Sequence, residues 1–315
     1  MRKSITSVVQ RGIRSIKHRA AVYARRSSGS HLKKTVLKDG GIVWSCGVGW
    51  IAKKAEIYEA MFERENAKGI TSNIFCDRMY PMKTMSRDYA VEQELHSGKW
   101  SFQNMLVIRN PYGESPLTAL AIFETEKACR VRVTVKGDIP ETDFVSELPM
   151  TKYHRIPILG LYPGRENRVC LELLEDNGEV AAAHVVPVWT MNLPKDLRNV
   201  IEVKKVSDQP AFQNILVSGG LGIKTCMFDR QGQIRFYIRR FAKGYGVFPL
   251  GNGHFFYMEK EVSTPTFTNP QTIQSYDMDY LGRTFMCYLT KNGVHHTAAV
   301  KAGGNIFVRW KSEKK

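Results

Sequence analysis

Two stretches of this 315-residue chain repeat one another: Met227-Phe-Asp-Arg-Gln-Gly232 followed by Gly251-Asn-Gly, and Asp277-Met-Asp-Tyr-Leu-Gly282 followed by Gly303-Gly-Asn. The offset from Asp229 to Asp279 is 50 residues, at the upper end of the periods of roughly 20 to 50 residues that mark solenoids and propellers. In each copy the Asp-x-x-Gly element is predicted to be a hairpin turn joining two strands, and the Gly-Asn turn opens the next strand pair. Tyr237 and Tyr288 follow the first turn at nearly matching places. The later copy carries a histidine pair, His295 and His296, ahead of its second turn, where the earlier copy has Tyr245-Gly-Val.

Upstream the pattern differs. Residues 54–68 place Ile57, Tyr58, Met61 and Phe62 at helical spacing and stop at Gly69, which predicts a helix. A second helix is predicted over 87–97, capped by Ser86 and ended by Gly98. From Trp100 the chain becomes strand runs separated by turn residues, among them Met105–Ile108, Leu117–Phe123, Val131–Val135, Arg155–Leu159, Val169–Leu174 and Val180–Val188. Val131, Val133 and Val135 alternate with Arg132 and Thr134, so one face is apolar, and Asp176-Asn-Gly178 is a hairpin turn. This is the signal of an antiparallel β-sandwich. The linker Thr190–Pro194 leads into the repeats. The expected organisation is therefore a basic, disordered tail over 1–40, a helical lead-in over 41–99, a β-sandwich over 100–192 and part of a β-propeller over 196–315, mainly β throughout.

Net charge is +16, but ten Lys/Arg and no Asp or Glu fall in the first 34 residues, so the remainder is only mildly basic. Such a tail reads as a solvated arm, with targeting or anionic-surface binding as the functional alternatives. No aromatic-interleaved basic patch or helix-turn-helix pattern points to nucleic acid. No apolar run approaches the ~18 residues of a membrane span. The six cysteines are scattered without C-x-x-C spacing, so neither a zinc site nor a disulfide framework is implied, and Cys226 and Cys287 suit packing as small apolar groups.

Asn110-Pro-Tyr-Gly113 is a tight turn by composition, Pro setting φ and Gly relieving the position after Tyr112. The longer block Asn110-Pro-Tyr-Gly-Glu-Ser-Pro-Leu-Thr-Ala-Leu120, with Ile158-Leu-Gly-Leu-Tyr-Pro163 further on, resembles the N-terminal sandwich domain of the bacterial aryl-sulfate sulfotransferases. The resemblance implies a sandwich followed by a six-bladed propeller. It implies transfer of a sulfuryl group from a phenolic sulfate ester to a phenol through a sulfated histidine, without a nucleotide sulfate donor or any other cofactor. Most of the family is periplasmic or secreted, whereas the N-terminus as written reads as cytoplasmic.

Sulfuryl transfer needs a nucleophile, donors for the sulfur-bound oxygens and an acid for the leaving phenolate, and histidine can serve in each role. His295 and His296 lie in Gly293-Val-His-His-Thr297, which resembles the family's Gly-x-His-His-Asp segment, with Thr297 in place of its Asp. Adjacent residues of a strand point to opposite faces, so one of the pair faces the site, with nothing to choose between them. His254 begins the matching strand of the first copy and is a candidate for substrate binding, as is Arg239 beside Arg240. No metal ligands are expected. His154 and His184 read as packing residues of the sandwich.

Six blades of about 50 residues need roughly 300 residues, whereas 116 run from Val200 to Lys315. About two blades are expected, with the sulfated histidine downstream of this sequence and activity dependent on a complementing chain. The alternative is a non-enzymatic β-rich interaction protein, a homo-oligomer using exposed strand edges for partners.

Overall fold

The computed structural model describes residues 31–66, 79–204, 214–217, 224–239, 244–260, 272–300 and 306–310. The fold is mainly β. Seven strands form the first sheet: β1 (Lys33–Val36), β2 (Ile42–Gly47), β3 (Asn104–Arg109), β4 (Ala119–Val135), β5 (Phe144–Ile158), β6 (Glu166–Leu174) and β7 (Val180–Trp189). Their order is β1-β2-β3-β4-β6-β7, with β5 on the remaining edge of β4. One edge of β4 pairs with β5 along most of its length; the other is shared, with β3 at residues 119–122 and β6 at residues 130–135. The register shifts between Glu124 and Val131, a bulge that bends the long ribbon and lets one strand serve two leaves. The sheet curls into a half-barrel. Val107 of one leaf and Val131, Val133, Val169, Leu171 and Val186 of the other fill the space between them.

Two helices connect the parallel pair β2 and β3, as a parallel pairing requires. They are α1 (Val48–Asn66) and α2 (Met79–Leu95). Strand alternation divides β3 between two cores. Met105 and Val107 face the sandwich interior, while Leu106 and Ile108 pack under Ile51, Ala55, Val91 and Leu95 of the helices. Both helices begin earlier than the apolar spacing predicts. Ser86 is not the cap of α2 but lies inside it, its Oγ donating to Met82 O one turn back at 2.9 Å. Gly98, at φ +69°, follows the last turn as expected, whereas Gly69 lies outside the described residues. The segment read as a helical lead-in also contains β2, and β1 falls within the segment read as a tail.

The repeats form two further antiparallel sheets. β8 (Asn214–Val217), β9 (Cys226–Asp229) and β10 (Ile234–Tyr237) run in the order β10-β9-β8. β11 (Gly244–Pro249), β12 (His254–Lys260), β13 (Thr272–Asp279), β14 (Thr284–Val300) and β15 (Ile306–Trp310) run in sequence order. Phe236 of β10 and Ile238 just after it pack on Phe255, Tyr257, Tyr276 and Met278 of the five-stranded sheet, so the blade-like sheets share a core. The Gly251 turn closes with Leu250 N–H donating to His254 O at 2.9 Å; its counterpart at Gly303 lies outside the described residues. Cys46, Cys129, Cys170, Cys226 and Cys287 are free thiols. Among the described residues no helix is long and apolar enough to cross a membrane.

Candidate functional site

The two Asp-x-x-Gly turns have the same geometry and dock on the two sequence blocks that carry the family resemblance. In the first, Gly232 N–H donates to Asp229 O at 2.8 Å, and Asp229 Oδ1 accepts the N–H groups of Gln231 and Gln233, each at 3.0 Å. Its Oδ2 takes Arg235 Nη1 at 3.0 Å and Tyr162 Oη at 3.3 Å. Arg235 is fully buried and also donates to Gly160 O at 2.7 Å and Thr142 O at 2.9 Å. Its guanidinium stacks on Tyr162 at 3.8 Å, with Arg165 over the same ring at 3.7 Å. The first turn is thus seated on Ile158–Pro163.

The second turn is seated on Asn110–Leu120. Gly282 N–H donates to Asp279 O at 3.0 Å, and Asp279 Oδ1 accepts Arg283 N–H at 2.9 Å. Leu281 packs with Tyr112 and Leu120. Here the arginine leaves the turn: Arg283 Nη2 reaches Asp88 Oδ2 of α2 at 2.9 Å. Burial pushes the Asp279 carboxyl up to about 6. Asp88 Oδ1 also binds Arg155 and accepts the Tyr112 hydroxyl at 2.6 Å. Burial, and then the Asp88 charge, raise the Tyr112 phenol well above its ordinary value, so it stays a donor.

Beside this junction stands His254, at the start of β12. Its Nδ1 lies 2.8 Å from Asp277 Oδ1 on β13, and its ring stacks on Phe285 at 4.0 Å and 18°. Arg283 covers the same phenyl ring at 4.4 Å. The carboxylate fixes the Nδ1–H tautomer, which leaves Nε2 to accept or donate a proton. Among the described residues Nε2 has no hydrogen-bond partner. The His254 and Asp277 side chains are 23% and 22% exposed, open enough for a small molecule to meet them. The arrangement can move a proton at Nε2 or hold an anionic oxygen there.

The other expected site residues do not converge on this pair. His295 and His296 lie on β14 next to Val294, which pairs with Thr272, whereas His254 pairs with Asp279 at the other end of β13. The length of that eight-residue strand, roughly 20 Å, lies between them. The side chains of His295 and His296, and all of Arg240, lie outside the described residues. Arg239 is closer to the second turn. Its N–H donates to Glu114 O at 2.8 Å, Glu114 Cβ stands 3.0 Å from the position a Cβ on Gly282 would take, and the Arg239 side chain is exposed. Asp277 was missed as a partner because cross-strand register is not written in the sequence. The histidines of the sandwich are buried as read: His154 stacks on Phe123 and bonds Thr125 Oγ1 at 2.9 Å, and His184 stacks on Phe102 and bonds Asp39 at 2.8 Å.

A cleft of about 410 Å³ at one end of the sandwich, bordered by Lys33, Arg109 and Trp189, also escaped the sequence reading. None of these residues belongs to a motif. No group of His, Cys, Asp and Glu among the described residues could hold a metal ion.

Two family descriptions match consecutive parts of the chain, the arylsulfotransferase Ig-like domain over 106–192 and arylsulfotransferase (ASST) over 202–315. Together they cover well over half of it. Among curated proteins, the chain is similar to arylsulfate sulfotransferase AssT of Lelliottia amnigena, 28% identical over 134 residues that make up 40% of this chain and 22% of the relative. Arylsulfate sulfotransferase AssT of Escherichia coli O6:H1 is 31% identical over 135 residues, again 40% and 22%. The match thus spans about a fifth of the length of these curated relatives.

Proposed function

Because this chain belongs to the arylsulfotransferase family, we propose that it takes part in transferring a sulfuryl group from a phenolic sulfate ester to a phenolic acceptor. In such a transfer a histidine nitrogen attacks sulfur while the aryl S–O bond breaks and the phenolate leaves with a proton; the acceptor oxygen then attacks sulfur and the N–S bond breaks. The chain contributes groups that bind the donor and move protons. His295 or His296 binds the ester or protonates the leaving oxygen, and Arg239 meets sulfate oxygens. His254, held by Asp277, presents Nε2 at the other end of β13 from His295 and His296, so it is an alternative to them and not their partner on one ester. The nucleophilic histidine is assigned to none of these positions.

The observation that carries this reading is the His254–Asp277 pair at 2.8 Å within the segment matching the family. It supplies an imidazole oriented by a carboxylate, although Thr297 does not. The test is a titration of the 315-residue chain with 4-nitrophenyl sulfate, followed through the imidazole ¹⁵N signals, with phenol then added. Shifts at His254 or at His295 or His296, without net transfer by this chain alone, are expected. Imidazole signals that stay unmoved at saturating ester would sink the donor-binding role. Turnover abolished by the double substitution His295→Ala, His296→Ala would refute the claim that the nucleophile lies elsewhere.

A further inference from the structure

The cleft at the end of the sandwich is built from one row of residues on neighbouring strands. Lys33 pairs with Ser45, and Ser45 with Val107, so the three side chains point to the same side of β1, β2 and β3. Val188 and Trp189 approach from β7 on the opposing leaf. Val107 and Val188 close its base at 1% and 2% exposure, while Trp189 is 54% exposed. Arg109 bridges the two leaves, its Nε donating to Cys46 O at 3.4 Å and its Nη1 to Trp189 O at 3.3 Å. Further along, His184 Nδ1 bonds Asp39 Oδ2 at 2.8 Å and joins the β1–β2 hairpin to β7.

The lining carries more basic than acidic charge, Lys33 and Arg109 against Glu166. Elsewhere in the sandwich Arg132, Arg155 and Arg165 each have a carboxylate oxygen at 2.9 Å or closer. Among the described residues neither Arg109 nor Lys33 has an acidic partner, and Arg109 Nη2 has no protein hydrogen bond. Glu166 is the single acid of the lining. One braced cation, Arg109, and one exposed cation, Lys33, beside Trp189 favour a ligand that is itself an anionic group on a flat apolar body. A cleft of about 410 Å³ has room for one ring.

We propose that this cleft binds a small aromatic anion, its ring against Trp189 and its charged group at Arg109 and Lys33. Lys33 and Ser45 precede both segments matched by the family, whereas Val107, Arg109, Glu166, Val188 and Trp189 lie within the first of them, so the cleft joins the matched sandwich to the strands ahead of it. It is separate from His254, His295 and His296 and needs no turnover.

Calorimetric titration of the 315-residue chain tests this with benzenesulfonate, whose C–S bond offers no transferable sulfuryl ester, against inorganic sulfate and benzyl alcohol as its two halves. The expected result is saturable one-to-one binding of benzenesulfonate, with each half binding about tenfold more weakly or worse. Lys33→Gln and Trp189→Ala should each weaken binding about tenfold, as should Arg109→Gln. Because Arg109 also braces two carbonyls, the exposed Lys33 and Trp189 variants decide the matter should the Arg109 variant not fold. The double substitution His295→Ala, His296→Ala should leave the binding intact. Absence of saturation, undiminished binding in both exposed variants, equal affinity for inorganic sulfate, or loss of binding in the histidine variant would each overturn the proposal.

Discussion

Arg283 Nη2 meets Asp88 Oδ2 at 2.9 Å, joining the start of β14 to α2. One turn earlier on α2, Thr84 Oγ1 donates to Thr284 O at 3.0 Å and accepts Thr284 N–H at 3.3 Å. The helix that makes these bonds also binds the sandwich through Tyr112 and Arg155, yet it precedes residue 106, where the family match begins. The strand that carries His295 and His296 is thus anchored at its first residues by an element the family descriptions do not include.

Asp88→Asn should therefore loosen the sandwich and the second blade together. The substitution removes the charge facing Arg155 and Arg283 while keeping the shape, and for a largely buried carboxylate that should lower stability by about 2–4 kcal/mol. Urea denaturation monitored by tryptophan fluorescence checks this. A midpoint within error of the unsubstituted chain would show that the two arginines are satisfied without Asp88.

Arg235→Lys should be costly despite conserving charge. A lysine cannot reproduce the flat stack on Tyr162 or reach Gly160 O, Thr142 O and Asp229 Oδ2 together. With Asp229 left short of a partner at about 1% exposure, a loss of about 3 kcal/mol is expected in the same unfolding measurement.

Gly282→Ala should destabilise more than Gly40→Ala. Both glycines have positive φ, +87° and +88°, so each alanine carries a similar backbone strain of about 1 kcal/mol. At Gly40 a Cβ meets open space, whereas at Gly282 it lies 3.0 Å from Glu114 Cβ and 3.2 Å from Ser115 N. Paired thermal melts should place the Gly282 variant lower by several degrees.

Two buried groups should bend the pH dependence of stability in opposite senses. Burial pushes His154 down from 6.5 to about 4, so the unfolded chain binds the extra proton and stability falls as pH drops from 6.5 through 4. Burial pushes Asp279 up from 3.8 to about 6, so the folded chain holds the extra proton and its contribution is lost as pH rises from 3.8 through 6. The slopes partly cancel in the unsubstituted chain, each amounting to about 3 kcal/mol across its window. Urea midpoints across this range should fall more steeply on acidification in Asp279→Asn, and His154→Gln should reverse the slope.

Several features were legible because they are local. Asp229-x-x-Gly232 and Asp279-x-x-Gly282 fold as read, since the aspartate side chain binds the turn's own N–H groups and glycine supplies the positive φ. Gly98 ends α2's last turn for the same reason, and Val131, Val133 and Val135 face inward because a strand alternates. The early starts of α1 and α2 were not legible, because Val48 and Met79 carry no capping side chain and the helices are held by packing on Leu106 and Ile108. His254 was nameable as a candidate, but Asp277 was not, since the pair exists only through the β12–β13 register.

By itself the sequence determined the class of the chain, β-sandwich followed by blade-like repeats, because alternation, turn chemistry and a 50-residue period act over short stretches. It also carried, in Asn110–Leu120 and Ile158–Pro163, the blocks that mark the family. Only the tertiary structure decided what those blocks are for. Each receives one repeat turn, through contacts such as Arg235 to Gly160 and Leu281 against Tyr112 that span tens to hundreds of residues. Such pairings depend on how the bulge in β4 folds two leaves together and where α2 lands, and these are properties of packing that no local pattern encodes.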